Sequence, residues 1–127
     1  MKINDKLLLI LFGAAFWVAG TIWYQWRGPQ VFESGSQRYW INFVLTPVVS
    51  AAICILILRW RQVPAGDWAS AALLIALPGM FGEAWLLSRF AQFMPRLQPE
   101  TGGKYGAFLF ATYALFLTIA EIVTILA

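Results

Sequence analysis

The stretch Ile41–Leu58, "INFVLTPVVSAAICILIL", decides the fold class. It carries no charged residue over its whole length. A bilayer core about 30 Å thick needs ~20 mostly apolar residues to cross it as a helix. Within hydrocarbon every backbone N–H and C=O needs a partner in its own segment, so the stretch reads as a transmembrane helix.

Three more segments read the same way. "LLLILFGAAFWVAGTIWY" covers Leu7–Tyr24, a third span runs from Trp68 to about Phe90, and a fourth from Gly106 to Ala127. The expected architecture is all-α, a four-helix transmembrane bundle in one domain over residues 1–127, with both termini on one side. Leu7–Tyr24 follows lysines, as a signal peptide does, but it ends in the aromatic cluster "WYQW" with no clear small-x-small cleavage site. We read it as a retained span.

Composition agrees. Of 127 residues, 61% are hydrophobic and 12% charged, and the mean hydropathy is +0.70. A soluble domain carries about 25% charged residues. The net charge of +3 suits lysines and arginines that flank spans and meet anionic headgroups. No basic stripe with exposed aromatics stands outside the apolar segments, so no nucleic-acid partner is expected. With no histidine and one cysteine, the chain offers no His-ligated haem, no Cys/His zinc site and no redox pair. No metal or other cofactor is expected, and Cys54 reads as a small buried hydrophobe.

Three loops join the spans: Gln25–Trp40, "RWRQVPAGD" and "MPRLQPETGGKY". Asp67 is a candidate N-cap for the third helix. Lys2, Lys6, Arg59 and Arg61 fall on the side of the termini, and Arg27, Arg38, Arg89, Arg96 and Lys104 on the other. This near balance encodes orientation weakly; the short, densely basic second loop favours termini inside.

Two acids stand inside spans. Counting back from Glu83 in steps of four and three gives Gly79, Ala76, Ala72, Ala69 and Ala65, all small. Such a stripe lets another helix approach closely, so Glu83 is expected to face inward. On the last span Ala107, Ala111, Ala114, Thr118 and Glu121 follow the same spacing, and the same inward face is expected. By helix rise the two acids lie ~24 Å along their own antiparallel helices, near opposite faces, so they form no carboxylate pair. Pro47 and Pro78 each remove one helix hydrogen bond and are expected to kink their spans, freeing the carbonyls of Phe43 and Leu74. Asn42, Thr46 and Ser50 add a polar stripe on the second span. These residues together predict a polar cavity in one half of the bundle, with Glu83 on its wall.

The candidate ligand or proton site is Glu83 with Asn42, Thr46 and Arg38; Glu121 and Tyr113 are secondary candidates. Glu83 has a second reading, as half of an ion pair with Arg38 or Arg27. Glu121 has one too, as a partner of Arg59, Arg61 or Lys6. The motif "RYW" at Arg38–Trp40 reads first as an interfacial anchor.

In length and span number the chain is similar to the small multidrug-resistance transporters, four-helix proteins that work as dimers. That family carries its essential glutamate in the first helix. Leu7–Tyr24 holds no acid, so that mechanism does not carry over. The strings "RGPQVFESGSQRYWINF" and "GMFGEAWLLSRF" resemble a family of small four-span bacterial inner-membrane proteins of unknown function. The resemblance covers most of the chain and implies an inner-membrane location, but no activity.

Two functions remain open on the sequence. One is a small transporter or permeation protein for a cationic or protonatable solute, working as a homo-oligomer. The other is a non-catalytic membrane module, an accessory subunit of a partner membrane protein or a lipid-binding protein. Without histidine, a reactive cysteine setting or paired acids, an enzyme is not expected.

Overall fold

Five helices follow one another along the computed structural model, which describes residues 1–127: α1 (Ile3–Phe32), α2 (Ser36–Trp60), α3 (Trp68–Ser88), the single turn α4 (Phe90–Phe93) and α5 (Gly102–Leu126). There are no strands. Four of the helices are long and apolar enough to cross a membrane. The chain is an all-α bundle with both termini at one end, as the sequence implies.

The helices outrun their apolar stretches. α1 continues through Pro29 to Phe32, so the expected first loop shrinks to the few residues around Gly35. Gly35 makes that reversal possible: its φ of 134° lies where a side chain would be strained. α2 and α3 continue through Pro47 and Pro78 without a break in helix. Just past the end of α2, Gln62 has a left-handed φ of 54°. The Val63 N–H reaches the Leu58 carbonyl and the Gln62 N–H the Arg59 carbonyl, both at 3.0 Å. This double closure satisfies two of the helix's last carbonyls.

At the end carrying the termini, polar contacts tie the helices together. The Arg61 guanidinium donates to Asp5 Oδ1 through Nε at 3.1 Å and Nη2 at 2.5 Å. The Met1 amine lies 3.5 Å from Asp67. Asp67 does not cap α3 with its side chain. Thr124 of α5 does that work instead: its Oγ1 accepts from the Ala69 N–H at 2.9 Å and donates to the Ala65 carbonyl at 3.2 Å.

α3 is the hub. It packs against α1 on one side and α5 on the other, while α2 packs mainly on α5. Gly13 sits so close to α3 that a Cβ there would overlap the Ile75 carbonyl. Ala72, Ala76, Gly79 and Glu83 are all buried, so the α3 stripe faces inward as expected. The α5 stripe does not: Ala107, Ala114, Thr118 and Glu121 are exposed and Ala111 is half-buried. α5 instead turns in Tyr105, Phe108, Phe116 and Ala120. The reason is complementarity of size. The groove left by small residues on α3 is filled by large side chains from α5, and a Cβ on Gly79 would collide with the Tyr113 hydroxyl. A second row of alanines facing the first would leave a void, which costs dispersion contacts.

The buried apolar residues form two clusters. One, around Leu9, Leu58, Ala71, Ala72, Phe116 and Ala120, closes the half nearer the termini. The other is aromatic, with Tyr24, Phe32, Tyr39, Phe90, Tyr105 and Phe108, and closes the opposite end together with Met94 and Leu97 of the α4–α5 connection. That connection is pinned to α1: Glu33 accepts from the Gln98 N–H at 2.8 Å and from Thr101 Oγ1 at 2.5 Å. Gln25 Nε2 donates to the Phe93 carbonyl, and Arg96 to the Trp26 carbonyl. The Leu97 side chain lies on Gly28.

Overpacking tests which stripe is internal. Ala76→Leu should lower stability by roughly 1–3 kcal/mol, while Ala107→Leu should leave the melting temperature in detergent nearly unchanged. Equal losses for the two would mean that α5 turns its alanines inward after all.

Candidate functional site

Between the two apolar clusters lies a cavity of about 370 Å³, walled by α1, α2, α3 and α5. Trp17, Thr21 and Tyr24 come from α1, Thr46 and Ser50 from α2, Glu83 from α3, and Tyr105, Phe108 and Tyr113 from α5. A smaller chamber of about 40 Å³ continues past Trp17, Ser50 and Tyr113 to Cys54 and Phe116.

Local sequence explains how each wall is placed. On α1, Gly13, Trp17, Thr21, Tyr24 and Gly28 recur at steps of four and three, which is one helix face. Gly82 leaves room on α3 for the Trp17 indole, and a Cβ there would lie 2.5 Å from Trp17 Cε2; Gly79 lies beside the Trp17 Cβ. Trp17 therefore lies flat on the glycine side of α3, just before Glu83. On α2, Asn42 stands behind the wall and orders it. Its Oδ1 accepts from the Tyr24 hydroxyl at 2.9 Å and from Thr46 Oγ1 at 2.7 Å.

Glu83 is only 7% exposed. It has no ion pair: the two ion pairs of the chain, Asp5–Arg61 and Met1–Asp67, both lie at the other end. Its Oε2 is buried without a hydrogen-bond partner. The Trp17 indole N–H stands near the carboxyl group but outside hydrogen-bond geometry. The same want of a partner holds for Trp17 Nε1, Thr21 Oγ1 and Asn42 Nδ2. Each such neutral group costs about 1–3 kcal/mol, and an uncompensated charge more. Three of them belong to residues lining one cavity and the fourth, on Asn42, stands behind its wall, a concentrated unmet demand for hydrogen bonds.

The cations near this end are engaged elsewhere or exposed. Arg27 stacks on Trp26 at 4.4 Å and Lys104 lies over the Tyr39 ring at 5.6 Å. Arg96 holds the Trp26 carbonyl. Arg38 is exposed and does not line the cavity, so the cation expected beside Glu83 is not brought to it. Neither Arg38 nor Arg27 pairs with Glu83. Thr46 and Tyr113 do reach the cavity, and Asn42 supports it from behind. Glu121 is exposed in the other half, outside the cavity and without a pairing cation.

Residues 31–125 match the model of a family described as a family of unknown function (DUF5367). The chain belongs to that family. No curated protein and no solved structure matches it. The DUF5367 match spans α2 to α5 and so includes Thr46, Glu83 and Tyr113; Trp17, Thr21 and Tyr24 lie ahead of it. No charge marks the last three in the first span. Its glycine and polar-aromatic repeat was the available signal.

The missing counter-charge makes a stability prediction. Glu83→Gln should melt no earlier than the natural protein, and adding Arg38→Gln should leave that difference unchanged. A buried ion pair would instead lose about 3–5 kcal/mol on Glu83→Gln and show coupling with Arg38 in the double-mutant cycle.

Proposed function

We propose that the chain is a small membrane transport or permeation protein whose cavity receives a cationic or protonatable solute, with Glu83 as counter-charge. The observation that carries this reading is the unpartnered Glu83 carboxyl group in a cavity that three further unsatisfied polar groups face or border. A buried acid without a cation is costly, and a chain that keeps one gains from a ligand or proton that completes it. The cavity's size falls at the small end of the ~300–1,000 Å³ usual for ligand sites. The Trp17 indole and Tyr113 ring at its wall suit an organic cation, which aromatic faces attract. Thr46 and Tyr24 add polar groups to the wall, held by Asn42 behind them.

On this reading the chain is not an enzyme. One carboxylate without histidine or a second acid supplies binding, not acid–base chemistry. Four helices enclose little space, which supports a homo-oligomer as the working form, set among membrane lipids. A bacterial inner-membrane location with cytoplasmic termini fits the densely basic α2–α3 turn. The alternative is a lipid-binding or accessory module of a partner membrane protein. It is favoured by the mainly apolar lining around the polar groups.

Binding and flux separate the two. Purified protein in vesicles should bind benzyltrimethylammonium and lose that binding about tenfold or more in Glu83→Gln, the factor for one contact of ~1.4 kcal/mol. It should also move the ion across the vesicle membrane. Binding without movement would select the accessory reading. Binding unaffected by Glu83→Gln would remove Glu83 from the site.

A further inference from the structure

The cavity is blocked along the bundle axis and open sideways. At one end the rings of Tyr24, Phe32, Tyr105 and Phe108 stack with centroids 5.3–5.8 Å apart. The α4–α5 connection is bound over them through Glu33. At the other end Leu9, Leu58 and Phe116 pack without a gap to solvent, each at most 4% exposed. Between α3 and α5, however, a groove of about 270 Å³ opens on the outer surface. Glu83, Leu109 and Tyr113 line both the groove and the central cavity. These three residues are the boundary on the α3–α5 side; on the α1 side the cavity itself reaches the exposed Ala19 and Trp23.

The depth of that boundary follows from the tryptophans. Trp23, Trp26, Trp40 and Trp85 are exposed near one end and Trp60 near the other. Trp40 and Trp60 of α2 are ~30 Å apart by helix rise, the thickness of the hydrocarbon core. Exposed tryptophans settle at the headgroup level, so the first four mark one interface. Glu83 precedes Trp85 by two residues and lies only ~3 Å deeper. The groove covers ~10 Å of α5 from Gly106 to Tyr113, with Leu87 on the interface side of Glu83 and Met80 on the midplane side. Its outer walls, Met80 and Phe110, are apolar and exposed, Phe110 at 73%.

We propose that the ligand is a single-chain cationic amphiphile taken from the bilayer itself, its head on Glu83 and its alkyl chain in the α3–α5 groove. This rests on the reading of Glu83 proposed above and adds the ligand's shape and its route. An amphiphile dissolved in the membrane already holds its head at the interface and its chain along the normal. Glu83 stands part-way down the groove, and Met80, about one helix turn nearer the midplane, continues its apolar wall, so a head held on the acid starts its chain down the trough. The negative charge at the inner edge of an apolar trough selects a cation over an alcohol or an anion of the same length.

The test uses decyltrimethylammonium and decanol, each with a diazirine at the fourth chain carbon, in phosphatidylcholine vesicles holding the full chain. After photolysis, cross-linked residues are mapped by mass spectrometry. The cationic probe should label Met80 and Phe110 about tenfold above the alcohol, the factor for a contact of ~1.4 kcal/mol. Glu83→Gln should bring it down to the alcohol's level. Ala84→Trp, which fills the groove from an exposed position, should lower labelling while benzyltrimethylammonium still binds. Cation-specific, Glu83-dependent labels at Ala19 and Trp23, on the α1 side of the cavity, would overturn the groove and leave the acid site standing. Identical labelling by both probes, in natural protein and Glu83→Gln alike, would overturn both the amphiphile and the cation site.

Discussion

The close approach of α1 to α3 governs the rest of the structure. Gly13 lets the two backbones touch at Ile75, and Gly82 receives the Trp17 ring one turn further on. In lipid no hydrophobic force draws helices together, because the surrounding chains are as apolar as the side chains. Fit and hydrogen bonding decide instead. With α1 seated on one side of α3, Tyr113 takes the other side at Gly79, and α2 is left to pack on α5. The cavity is what remains between Trp17, seated on α3, and Thr46 and Ser50 of α2.

That geometry explains why Glu83 is both buried and alone. The small residues before it draw it into the bundle, and the indole beside it fills the space an arginine side chain would need. The loops that could have delivered a cation are committed otherwise. Arg27 lies on Trp26, Arg96 reaches the Trp26 carbonyl and Lys104 lies over Tyr39. The aromatic cap then excludes those groups from the cavity. Burial without a paired cation is thus built from packing.

Much of this was legible in the sequence. Four spans followed from apolar length, and the inward face of Glu83 followed from Ala72, Ala76 and Gly79 at helical spacing. Thr46, one of the polar residues spaced by four on the second span, lies on the cavity wall. The face of α5 was not legible, because in a helix apolar all round the alanine stripe and the Tyr105–Phe108–Phe116 stripe are both credible interfaces. Only the shape of the neighbour chooses between them, and α3 offered a groove that needed filling. Arg38 was assigned to the site from its charge and its loop, but Ser36–Phe43 is helical and turns Tyr39 inward, leaving Arg38 exposed. The contribution of α1 was hidden for the opposite reason. Trp17, Thr21 and Tyr24 carry no charge, and their importance arises only from what faces them.

The central claim is that Glu83 is an unpaired acid reached from the bilayer. Carbodiimide labelling tests it most directly. Dicyclohexylcarbodiimide dissolves in the membrane and adds to a carboxyl group to give an acylurea; a water-soluble carbodiimide reaches only groups open to water. The account predicts an adduct on Glu83 with the first reagent and none with the second, in folded protein in vesicles. Protection of Glu83 from the first reagent, or equal modification by both, would contradict it.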